Sequence, residues 1–151
     1  MPELITELLN DGTYIMYQNL KAIIPHREPM VMIDGYEKID KDNAIAEKTF
    51  LPDDYSIYKG YVVESILIEC IAQTVAAHFG FDALDKEDEF KKPGMLVTVD
   101  TFSFFERVKE GAKVDITIKK TNEIGPFCIY FGKITCNKKP VAEGEIKLFV
   151  P

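Results

Sequence analysis

Residues 64–79, ESILIECIAQTVAAHF, are apolar on nearly every face. A helix of that kind cannot lie on a surface and has to be enclosed by other structure. Ser65, Glu69 and Gln73 recur every fourth residue, so the few polar groups share one stripe of this helix. Gly80 follows as the expected C-cap. The enclosing material comes mostly after it. Residues 95–105, 113–120, 127–136 and 141–150 are rich in β-branched and aromatic residues and read as four antiparallel strands. Turns are expected at 109–111, at 122–126 and at Lys138-Lys139-Pro140. Before the helix, residues 30–33 and 43–50 read as strands, with short helical turns at 3–9 and 19–24, and residues 51–60 form a loop. The second strand alternates Ala44, Ala46 and Lys48 against Ile45, Glu47 and Thr49, imperfectly. The class is α+β: a curved antiparallel sheet wrapped around one long central helix, in a single domain over 1–151. One sheet of this size leaves part of the helix uncovered, and a dimer would cover it.

Charge and composition remove several classes of function. There are 18 Lys and Arg against 25 Asp and Glu, a net charge of −7, which opposes general binding to nucleic acid. No run approaches the length of a bilayer span, and the first residues do not have the form of a secretory signal. The three cysteines, Cys70, Cys128 and Cys136, lack C-x-x-C spacing. They are expected to be reduced, in a cytoplasmic protein without disulfide or zinc. Nucleotide-loop and hydrolase-elbow motifs are absent from the sequence, and the two histidines with scattered acids form no zinc pattern. Catalysis without a cofactor is the economical expectation.

Glu69 is the most informative residue. A carboxylate amid such apolar neighbours faces desolvation, which raises its pKa and suits a general acid or base. The plain alternative is a polar contact at a helix or subunit junction, held by Gln73 or Ser65. His26 lies in Pro25-His26-Arg27-Glu28-Pro29, a loop stiffened by a proline at each end. A lone loop histidine is ordinarily not catalytic, yet His26 with Glu69 is the one His–carboxylate combination with both members in suggestive settings. His78, near the helix C-terminus, suits a structural role.

Four segments then carry a family resemblance. IIPHREPMVMIDG resembles an LPHRYPFLLVDR opening, and ESILIECIAQTVAAHFG resembles a central helix in which E-A-M-A-Q follows an apolar run. GMLVTVDTFSFFERVKEGAKVDITI and PVAEGEIKLFV resemble the following strands, in the same order. Together these span about residues 20–150 and resemble the hot-dog-fold 3-hydroxyacyl-acyl-carrier-protein dehydratases, particularly the divergent members associated with aryl polyene clusters. The resemblance implies a dimer with sites across its interface and an acyl thioester on a phosphopantetheine arm, with no other cofactor. The partner would be an acyl carrier protein or acyl-CoA, and the second subunit a copy of the chain or another hot-dog chain. It maps the catalytic acid onto Glu69 and its holder onto Gln73. The family's loop histidine in G-H-F-P-G has no counterpart, since YSIYKGYVVES contains none.

The expected mechanism therefore has His26 take the C2 proton and Glu69 protonate the departing 3-hydroxyl. Amides near Gly60 and the helix N-terminus would polarise the carbonyl. Ser65, Gln73 and Tyr58 are candidate substrate contacts, with Tyr55 and Tyr61 nearby, and Lys91, Lys92, Arg107 and Lys109 are candidates for docking an acidic carrier protein. For the tyrosines the plain role is loop packing, and for the basic residues it is ordinary surface. Two other functions stay open: a thioesterase with Glu69 as general base on water, and a non-catalytic acyl-binding subunit.

Overall fold

The computed structural model describes residues 14–84 and 94–151. Its elements are β1 (Tyr14–Met16), α1 (Tyr17–Leu20), β2 (Gly35–Lys38), β3 (Asn43–Thr49), β4 (Ile57–Tyr58), β5 (Tyr61–Val62), α2 (Glu64–Asp82), β6 (Met95–Phe104), β7 (Lys113–Ile124), β8 (Phe127–Cys136) and β9 (Lys139–Phe149). Seven strands make one antiparallel sheet in the order β1-β2-β3-β7-β8-β9-β6, and β4 pairs with β5 in a separate small hairpin. The helix α2 packs on β2, β3, β7 and β8. The expected helical turn at 3–9 and the lysines Lys91 and Lys92 lie outside the described residues. Among the described residues no helix is long and apolar enough to cross a membrane.

Period-two burial explains the sheet. Along β7, Val114, Ile116 and Ile118 point inward and are buried, while their neighbours are exposed. The strands β8 and β9 repeat this with Cys128, Tyr130 and Ile134, and with Ala142, Ile146 and Leu148. Leu67, Ile71 and Val75 of α2 meet this layer. The approach is close: a Cβ on Gly132 of β8 would stand 2.4 Å from Ile71 Cγ2, so only glycine fits beneath the helix there.

Three local expectations are corrected, and a fourth takes definite form. Residues 30–33 are not a strand, although Val31, Met32 and Ile33 are buried; β2 begins at Gly35. Side chains of α2 supply hydrogen bonds to Met30 and Met32 that a neighbouring strand would otherwise give. Gly80 does not cap α2, which continues to Asp82 with Ala83 as its C-cap. The glycine serves packing instead, because a Cβ there would lie 1.7 Å from the Ile23 carbonyl oxygen. The last hairpin turns at Asn137 and Lys138, both at positive φ (50° and 65°), so Lys139 and Pro140 already belong to β9. Finally, His78 is buried inside the fold. Its Nδ1 is 2.9 Å from the Tyr36 hydroxyl and its Nε2 is 2.9 Å from the Lys41 carbonyl oxygen. A carbonyl only accepts, so Nε2 carries the proton and Nδ1 accepts from Tyr36. The structural role expected for His78 is thus a buried hydrogen-bond bridge from α2 to β2 and to the turn after it.

The strand β6 closes one end of the sheet and pairs only with β9. Met95, Leu96, Val97 and Val99 on it are all exposed. On α2, Ile66, Ala72, Ala76 and Phe79 are only partly buried. Both features match the expectation that one copy of the sheet leaves apolar surface uncovered.

Candidate active site

Gln73 is completely buried on α2 and uses its amide in three directions. Its Oε1 accepts from the Met32 N–H at 2.7 Å. Its Nε2 donates to the Met30 carbonyl at 2.6 Å and to Glu69 Oε1 at 2.8 Å. The last bond is the (i, i+4) contact that the helical stripe predicts. Cys70 adds a fourth tie, its Sγ–H donating to the Met32 carbonyl at 3.1 Å. Burial pushes the Cys70 thiol well up, which keeps it a donor. The segment 25–34 is therefore a strap bound across α2 by side chains.

The strap brings His26 to Glu69. His26 Nε2 stands 3.7 Å from Glu69 Oε1, and the two side chains are 29% and 32% exposed. Glu69 is thus open to solvent on one side and not enclosed as its apolar neighbours suggest. His26 is fixed by its own loop: Arg27 Nη1 donates to the carbonyls of Ile24 (3.0 Å) and His26 (2.7 Å). Glu28 accepts from the Tyr17 hydroxyl at 2.6 Å and pairs with Lys21 at 3.0 Å. These contacts, the Tyr17 bond foremost, hold the Glu28 carboxyl down to about 2.

Burial lowers the pKa of His26, with Arg27 acting the same way and Glu69 opposing. A neutral imidazole is therefore the form present near neutral pH, as a proton acceptor requires. The shift has a consequence for stability. As pH falls through the ordinary value of 6.5, the unfolded chain protonates this histidine while the folded chain does not. Stability is then lost progressively down to the folded pKa. Urea titrations at pH 7 and pH 5 should show a larger loss for the wild type than for H26Q. Equal losses would mean that His26 is not desolvated in the fold.

The remaining candidates fall elsewhere. Ser65 is exposed in the first turn of α2, and its hydroxyl has no hydrogen-bond partner among the described residues. Gly60 (φ +81°) and Lys59 (φ +51°) turn the β4–β5 hairpin, and the Gly60 carbonyl accepts from the Glu110 N–H at 3.0 Å. Tyr58 is 63% exposed on that hairpin, with the Lys59 ammonium 5.3 Å from its ring centre. Arg107 lies 4.0 Å from the Tyr61 ring centre, and Lys109 bridges to Tyr61. Arg107 and Lys109 thus sit together beside the hairpin that leads into α2. Among the described residues no group of three or more His, Cys, Asp or Glu side chains is placed to hold a metal ion.

Two residues of this neighbourhood escape a reading by motif. Cys70 looks like one more apolar helix residue, and nothing in the sequence shows that its thiol grips the strap. Lys48 is buried at the third inner position of β3, after Ala44 and Ala46. A lysine in an inward register is the signal that could reveal it.

Comparison with known proteins adds an independent line. The family described as ApeP dehydratase, ApeP-like, matches residues 18–151. The 3-hydroxyacyl-[acyl-carrier-protein] dehydratase FabZ of Halalkalibacterium halodurans is 27% identical over 139 residues, covering 85% of this chain and 94% of the relative. The uncharacterized protein YcsD of Bacillus subtilis is 28% identical over 130 residues, covering 84% and 95%. Among solved structures, the dehydratase heterocomplex ApeI:P of Xenorhabdus doucetiae superposes with a TM-score of 0.79 at 18% identity, over 87% of this chain and 90% of that one. A hypothetical thioesterase of Streptococcus pneumoniae with coenzyme A gives 0.60 at 13% identity, over 77% and 85%. The fold is the hot-dog fold.

Proposed function

The chain belongs to the ApeP-like dehydratase family, and we propose that it removes water from a 3-hydroxyacyl thioester with Glu69 and His26 as its acid–base pair. The observation that carries this is the 3.7 Å approach of His26 Nε2 to Glu69 Oε1, on a strap and a helix that Gln73 ties together. Elimination needs one group to take a proton from C2 and another to give one at C3. Neutral His26 takes the C2 proton, and the electrons of that bond form the C2–C3 double bond. The C3–O bond breaks, and the hydroxyl leaves as water with the proton of Glu69. The pair then holds an imidazolium beside a carboxylate. Transfer of that proton from His26 to Glu69 restores the starting state without outside help. The products are a trans-2-enoyl thioester and water.

The thioester arrives on a phosphopantetheine arm, carried by an acyl carrier protein or by coenzyme A. Amides in the first turn of α2 and about Gly60 polarise its carbonyl. Ser65 and Tyr58 lie toward the entrance. Arg107 and Lys109, with Lys91 and Lys92, offer positive charge to an acidic carrier. A second hot-dog subunit, this chain or another, covers β6 and the half-buried face of α2. The exposed Met95, Leu96, Val97 and Val99 support that, and the solved ApeI:P relative is itself a heterocomplex. Three free cysteines suit a reducing, cytoplasmic setting.

A substrate comparison tests the reaction type. With a 3-hydroxyacyl thioester the protein should release water and leave the thioester intact, and a saturated acyl thioester should be inert. Hydrolysis of the saturated thioester would make the chain a thioesterase. No turnover of either compound, alone or with a second hot-dog subunit, would make it a non-catalytic acyl-binding chain.

A further inference from the structure

Lys48 is a charged side chain in a place where sheets of this kind put apolar residues. Its inward neighbours on β3 are Ala44 and Ala46, 1% and 5% exposed, and their small size leaves room for its stem under α2. The side chain of Lys48 is only 9% exposed, and its ammonium lies 5.8 Å from the centre of the Phe50 ring. It stands 3.5 Å from Asp34 Oδ1 and 3.2 Å from Asp54 Oδ2. The other oxygen of Asp34 accepts from the Thr49 N–H at 2.7 Å. The three charged groups share the wall of one cavity of about 360 Å³ with Tyr17, Glu28 and Tyr55.

The positions of the two carboxylates give this cluster its meaning. Asp34 ends the strap that carries His26. Asp54 lies in the 51–60 loop that leads into α2, where the family resemblance expects a histidine. No strand ladder joins these two segments. We propose that Lys48 is a positioning residue for the Glu69–His26 site, its buried ammonium tying the strap to the loop before α2 and so fixing where His26 stands.

This rests on the proposed dehydratase site but is separable from it. Gln73 and Cys70 hold the middle of the strap from the helix side, at Met30 and Met32. Lys48 holds its end from the sheet side. The loop then serves as a fixed wall and delivers neither the acid nor the base. A buried pair that only stabilised the fold would leave His26 indifferent to the loss of the ammonium. A tie would not.

The two histidines make the distinction measurable, since His26 reports on the strap and His78 on the core. Imidazole proton NMR resolves the titration of His26 and, apart from it, the ring-proton resonances of His78 in wild type, K48M, K48R and D54N. The charged groups facing His26 are Glu69 and Arg27, and all these variants keep both. In K48M the titration of His26 should rise toward its ordinary value of 6.5 as the strap loosens, with the ring-proton resonance positions of His78 unmoved. K48R should restore the wild-type titration. Turnover of the 3-hydroxyacyl thioester in K48M should fall by about tenfold to 100-fold with KM little changed, the mark of a displaced reacting group. Should K48M fail to fold, D54N cuts only the tie to the loop, and a smaller shift of His26 in the same direction is expected. An unchanged His26 in a folded K48M, or in D54N, overturns the proposal. So does an equal movement of both histidines, which would report general loosening. If the wild type shows no dehydration at all, the reaction assignment fails while the titrations still decide the role of Lys48.

Discussion

Glutamine in place of Glu69 should leave the fold standing and lower dehydration by about 10²- to 10⁴-fold, the usual contribution of a positioned acid. The side-chain amide has nearly the same shape and keeps an oxygen that can accept from Gln73 Nε2, now 2.8 Å from Glu69 Oε1. With a third of the side chain open to solvent, the exchange strands no buried charge. What it removes is the transferable proton, so the 3-hydroxyl would have to leave as hydroxide. Loss of turnover with an unchanged urea midpoint is the expected pair of results. A variant that turns over at the wild-type rate would place the acid elsewhere.

The largest effect on stability belongs to Gln73. Replacing it by leucine leaves the Met32 N–H and the Met30 carbonyl without their partners, and the 2.7 Å and 2.6 Å bonds have no substitute nearby. A buried polar group that loses its partner costs about 1–3 kcal/mol, the loss predicted from the buried Met32 N–H, and the Met30 carbonyl adds less because Met30 is exposed. Glu69 also loses the donor that aims it, and turnover should fall with stability. Q73E is the informative control, since a carboxylate still accepts from Met32 but cannot donate to Met30 or Glu69. Its charge would be fully buried against the Glu69 carboxylate and the Met30 carbonyl, so it should be no more stable than Q73L in urea unfolding followed by circular dichroism. A loss below about 1 kcal/mol in Q73L would mean that the strap finds its position without the helix.

Much of this arrangement is legible in the residues themselves. The Ser65–Glu69–Gln73 spacing places one polar stripe on an apolar helix, and Gln73 does donate to Glu69 along it. The four long strands after α2 announce themselves through β-branched and aromatic residues, and β7 also through the alternation of Val114, Ile116 and Ile118. Pro25 and Pro29 mark the stiff loop that brings His26 forward. Other features depend on what lies across space. Met30 to Ile33 has the composition of a strand, and composition does not reveal whether its N–H groups meet another strand or the side chain of Gln73. Gly80 has the position of a cap, but its lack of a side chain is used against the Ile23 carbonyl, a contact between segments 57 residues apart in sequence. Lys48 breaks the apolar alternation of β3, and only the positions of Asp34 and Asp54 explain why. Ser65, the exposed member of the stripe, shows the opposite limit: spacing places a residue on a face without saying what it touches.

The proposed pairing explains how a family member without the usual loop histidine keeps a base beside its acid. The strap substitutes for the loop, bringing His26 Nε2 to 3.7 Å from Glu69 Oε1. The acid and base are then held by one helix and by the segment bound across it. That economy requires His26 to be the proton acceptor at C2.

The most direct test is mass spectrometry of the acyl group on a 3-hydroxyacyl-carrier-protein thioester after incubation with wild type, E69Q and H26A. Loss of one water by the wild type, absent from both variants, is the predicted result. Loss of water that persists at full rate in H26A would contradict the assignment of His26 as the base.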